Sequence, residues 1–155
     1  MRSMTKIGLT ALVLLSGSFA FAQESEYQNK MQEDLDYYKA QLVNNCGVTD
    51  KIAIRFVGKL GSNPRERKDD QFAVSTLCSM GMDAVVYSCQ TNAPVKKTMS
   101  RLTNIVCTLG SGEISYKLRG GDLTVAVDTK HTYPNDGGRG PKEILVAKLK
   151  KDLDR

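Results

Sequence analysis

Apolar side chains recur along this chain in two rhythms, and the changes between them mark its elements. Tyr27, Met31, Leu35, Tyr38, Leu42 and Cys46 follow one another at steps of three and four, the repeat of one buried helical face. Ser25-Glu26-Tyr27-Gln28 reads as a capping box at the start of that helix, and Gly47 suits the left-handed residue that closes it. Ile52, Ile54 and Phe56 then alternate with Ala53, Arg55 and Val57, the period of a strand with one face buried. Residues 58–70 are polar, and Arg65-Glu66-Arg67-Lys68-Asp69-Asp70 mixes both signs of charge, as a solvated loop does. Helical spacing returns over 72–89 at Val74, Leu77, Cys78, Met82, Val85 and Cys89. Asn92 and Pro94 supply the cap and first turn of a short third helix, with Val95, Met99 and Leu102 inward.

From Ile105 the period becomes two. Ile105, Cys107 and Leu109 form one run, Ile114, Tyr116 and Leu118 a second, Leu123, Val125 and Val127 a third. Gly110-Ser111-Gly112 and Gly120-Gly121 separate them at hairpin length, which predicts an antiparallel three-stranded meander. Pro141 opens a closing helix with Leu145, Leu149 and Leu153 on one side. The expected fold is α+β: a small antiparallel sheet, one N-terminal strand plus the meander, with helices packed on one face and two disulfides as staples.

Arg2 and Lys6 precede the apolar stretch Ile7 to Ala22, which ends in Ala20-Phe21-Ala22. This is the pattern of a secretory signal peptide over residues 1–22, leaving 23–155 as a single secreted domain in the periplasm or outside the cell. Gln23 is not a lipid-anchoring cysteine, and no stable membrane insertion is expected after cleavage. The formal net charge is +5, two of which are Arg2 and Lys6. Without a basic run or stripe, nucleic acid is not an expected partner.

Four cysteines, Cys46, Cys78, Cys89 and Cys107, in a chain bound for an oxidising space read as two disulfides. No Cys-x-x-Cys pair supplies a zinc or redox centre, so neither metal nor cofactor is expected. On one helix, Cys78 and Cys89 would lie about 16 Å apart, beyond the ~7 Å a disulfide spans. Two pairings survive. Cys46–Cys78 with Cys89–Cys107 is preferred, because its second bridge closes a short loop; Cys46–Cys89 with Cys78–Cys107 is the alternative.

Three places offer chemistry. His131, the single histidine, can act as a general base oriented by Asp128 or Asp136, the basis of an alternative reading as a small hydrolase. No Gly-x-Ser-x-Gly nucleophile motif accompanies it. Gly137, Gly138 and Gly140 with Arg139 and Lys142 form a second candidate, an anion-binding loop before the last helix. The third is the open sheet face, where alternation places Arg55, Thr108, Ser115, Lys117, Arg119, Thr124 and Ala126 outward. The leading expectation is an exported non-enzymatic binding, inhibitory or interaction module. Arg55, Lys117, Arg119, Arg139 and Lys142 would face an unidentified protein or an anionic envelope component. A purely structural envelope component is the further alternative.

Overall fold

The computed structural model describes residues 14–60, 64–66, 73–131 and 141–154, with side chains of the first helix from Glu26 onward. These residues form four α-helices, one short 3-10 turn at Pro64–Glu66 and one four-stranded sheet. Helix α1 spans Leu14–Cys46 and runs without interruption through Ala22 and Ser25. The capping box expected at 25–28 is therefore no helix start here, because the Leu, Phe and Ala residues before it are able to extend the helix backward. Met31, Leu35, Leu42 and Cys46 are buried as their spacing required, and Gly47 closes the helix at φ +72°. No helix among the described residues is long and apolar enough to cross a membrane.

Strand β1 (Ala53–Phe56) leads to α2 (Val74–Thr91) and α3 (Ala93–Met99). The side chain of Asn92 caps α3 by accepting the Val95 N–H at 3.0 Å. Strands β2 (Asn104–Leu109), β3 (Ser115–Arg119) and β4 (Asp122–Val127) follow, and α4 (Pro141–Leu153) ends the chain's described elements. Ile54, Ile105, Cys107, Tyr116, Leu123, Val125 and Val127 point into one core with Leu77, Met82 and Val85 of α2 and Leu145 and Leu149 of α4. Helices thus cover one side of the sheet.

The sheet is mixed rather than antiparallel. Its order is β1-β2-β4-β3, with β1, β2 and β4 parallel and β3 alone antiparallel to β4. The helices between β1 and β2 carry the chain back to its starting end, as a parallel pair needs. The expected meander fails at Gly110-Ser111-Gly112. This is no hairpin but a crossing that steps over the position of β4, about 10 Å or two strand spacings. It is tied down there by Gly110 N–H donating to Val127 O and Gly112 N–H to Asp128 Oδ2, both at 2.8 Å. Burial explains the order: Leu123, Val125 and Val127 are fully buried and suit a central strand, whereas Lys117 and Arg119 are exposed and suit an edge. The β3–β4 hairpin itself is as expected, with Gly120 and Gly121 at φ +59° and +118°.

The disulfides are Cys46–Cys89 and Cys78–Cys107, which corrects the preferred pairing, Cys46–Cys78 with Cys89–Cys107, in favour of its alternative. The reason is the relative direction of two helices. Tyr27 bonds Ser75, Tyr38 bonds Asp83 and Asn45 bonds Gln90, so α1 and α2 run side by side in the same direction. Cys46 at the end of α1 is therefore level with Cys89, and Cys78 lies about 16 Å back along α2. There it meets Cys107 in the middle of β2.

Candidate functional site

Of the three places singled out by sequence, the loop candidates divide. Asp136 and Arg139 lie outside the described residues. Asp128 and His131 follow β4 directly, and the His131 N–H donates to the Asp128 carbonyl at 3.2 Å. Both carboxylate oxygens of Asp128 accept backbone N–H groups at 2.8 Å, one from Lys130 and the other from Gly112. Burial pushes this carboxyl up, but those two N–H groups and the charges of Lys130 and His131 outweigh it and hold it below its ordinary value. Asp128 thus clamps the β2–β3 crossing to the end of β4. Lys142 sits 4.4 Å above the ring of Tyr87, an attraction of cation to aromatic face that joins α4 to α2 in the helical layer. It does not lie with the basic residues of the sheet. No cluster of three or more His, Cys, Asp or Glu able to hold a metal occurs among the described residues.

The open sheet face is where the remaining candidates stand. Registers align Arg55, Val106, Thr124 and Lys117 in one row across all four strands, and Ala53, Asn104, Asp122 and Arg119 in the next. Arg55 and Lys117 therefore occupy opposite edges, about 14 Å apart over three strand spacings. Between them the surface is small and neutral: Val106, Thr124, Thr108 and Ala126, each half-buried. Lys117 and Arg119 stand together on β3, and Arg55 does not join them.

What joins them comes from outside the sheet. Leu118 is half-buried between two grooves. The first, about 530 Å³, is lined by Lys97, Thr98 and Arg101 at the end of α3, Leu102, and Gly120-Gly121 of the hairpin. The second, about 460 Å³, runs along β3 from Ser115 to Arg119 and is walled by Lys148 and Asp152 of α4. Leu118 thus lines both grooves, with Lys97 and Arg101 in the first and Lys117 and Arg119 in the second. Among the described residues none of the four is held in an ion pair; the nearby Lys148 is, at 2.6 Å from Asp152. Sequence reasoning missed Lys97 and Arg101. Their spacing of four puts both on one side of the chain leaving α3, but only the folded chain brings that side to the groove shared with Leu118 and Gly120-Gly121. Comparison with protein-family models, curated proteins and solved structures finds no match to this chain.

Proposed function

We propose that the chain is an exported, non-enzymatic binding module that captures an anionic protein partner along β3. The observation that carries this reading is the convergence of Lys97, Arg101, Lys117 and Arg119 on the two grooves flanking Leu118. Unneutralised like charges held together on a folded surface repel one another, and an anionic partner relieves that repulsion. Two disulfides and the signal-peptide pattern of residues 1–22 support a place in an oxidising compartment. A protein partner is favoured over a glycan because the exposed aromatics of the described residues, Tyr37 and Tyr87, lie on α1 and α2 and not beside the grooves.

The test is fluorescence anisotropy of labelled poly-glutamate with the oxidised chain. Binding should weaken with salt and fall about tenfold or more in Lys117→Glu/Arg119→Glu and in Lys97→Glu/Arg101→Glu. His131→Ala should leave it unchanged. Unaltered affinity in both charge reversals overturns the reading.

A further inference from the structure

Strand β3 has one edge paired and one edge turned outward. The two-residue turn fixes which groups go where: Arg119 pairs with Asp122 next to Gly120-Gly121, and Lys117 with Thr124 and Ser115 with Ala126 two and four positions on. These are the hydrogen-bonded pairs of an antiparallel ladder, so the N–H and C=O groups of Tyr116 and Leu118 point away from β4. The Tyr116 N–H shows this direction directly, since it donates to Asp152 Oδ2 of α4 at 3.0 Å. Asp152 is itself fixed by Lys148, at 2.6 Å from both carboxylate oxygens. The opposite edge of the sheet carries a similar cap, with Gln32 of α1 donating to Ile54 O at 3.1 Å.

Asp152 occupies one outward group of β3. Both backbone groups of Leu118, two positions on, point the same way, and Leu118 lines the 460 Å³ groove that α4 leaves alongside the strand. An open edge is a template for another strand, and charged side chains on it select which strand enters. Two copies of this chain pairing edge to edge would oppose Lys117 and Arg119 to their own like charges, which disfavours self-association.

We propose that the occupant is an extended acidic segment of another protein, added to the sheet as a fifth strand beside β3. The proposal rests on the binding reading above and specifies its mode. Main-chain bonds to the N–H and C=O of Leu118 hold the segment. Carboxylates on alternate positions meet Lys117 and Arg119, and the residues between them turn apolar side chains toward Leu118.

The experiment uses the oxidised, isotope-labelled chain and three probes: a short peptide alternating glutamate with valine, the same peptide N-methylated on every second amide facing β3, and inorganic polyphosphate. The plain peptide should slow hydrogen exchange of the Leu118 amide about tenfold or more, and the methylated peptide should bind about tenfold more weakly. Lys117→Glu/Arg119→Glu should abolish binding of both. Equal affinity of the two peptides with Leu118 unprotected overturns strand addition while leaving charge-based capture standing. Binding of polyphosphate without either peptide also overturns it, as does a dimer of the free chain formed through β3. If no anionic probe binds, or if binding survives the charge reversal, the underlying reading fails as well.

Discussion

Asp128 illustrates how one side chain can serve a backbone. Its two oxygens accept N–H groups from Lys130 and from Gly112, which holds the β2–β3 crossing against the strand that it passes. Because its folded-state pKa lies below the ordinary 3.8, ionised Asp128 stabilises the fold above that value. This contribution is lost as pH falls through the lower folded value. Asp128→Asn keeps one accepting oxygen and removes the charge, and should cost about 1 kcal/mol at neutral pH. Thermal melts across pH should show the wild type and the variant converging in acid; a constant gap at every pH would mean that the charge is not what stabilises the loop.

At the scale of elements, the periodic signals were sufficient to locate helices and strands but not to order the strands. Leu145 and Leu149, Val74 to Cys89, and the alternation of Leu123, Val125 and Val127 all bury as their spacing requires, because periodicity reports which face is covered. Sheet order depends instead on which strand tolerates water. The exposure of Lys117 and Arg119 on β3 was a signal for that, overridden by the short glycine link before it. The cysteine pairing was hidden for a similar reason: a helix's own repeat excludes Cys78–Cys89 but says nothing of the direction of α1 against α2. The candidate site was half legible, Lys117 and Arg119 by alternation and Lys97 and Arg101 not at all. Gly81 makes the difference between local and tertiary causes measurable. It would be a natural break in α2, yet the helix runs through it, and an added Cβ would lie 2.7 Å from Val125 Cγ1. Alanine there gains about 1 kcal/mol in helix propensity but meets an overpacking cost of about 1–3 kcal/mol against the sheet. Gly81→Ala should therefore lower the melting temperature, with Tyr116, whose hydroxyl donates to the Gly81 carbonyl at 3.2 Å, displaced. A raised melting temperature would show that Val125 yields freely.

The whole molecule is organised around α2, which packs against α1, α4 and the sheet and carries one end of each disulfide. The two bridges interleave along the chain, 46 with 89 and 78 with 107. If the chain is exported as proposed, its thiols would emerge in order of arrival, and an indiscriminate oxidant would join 46 to 78 and then 89 to 107. Neither bond fits the native helix pair, and from that set the native one would be reached only by attack of an external thiolate, such as an isomerase's, and exchange. Yield of the correctly bridged protein should then fall several-fold in an exporting host stripped of its disulfide isomerase, with mis-bridged forms visible by non-reducing peptide mapping. Undiminished yield would mean that α1 and α2 dock before the first oxidation. In that case the architecture itself, and no editing enzyme, chooses which sulfurs meet.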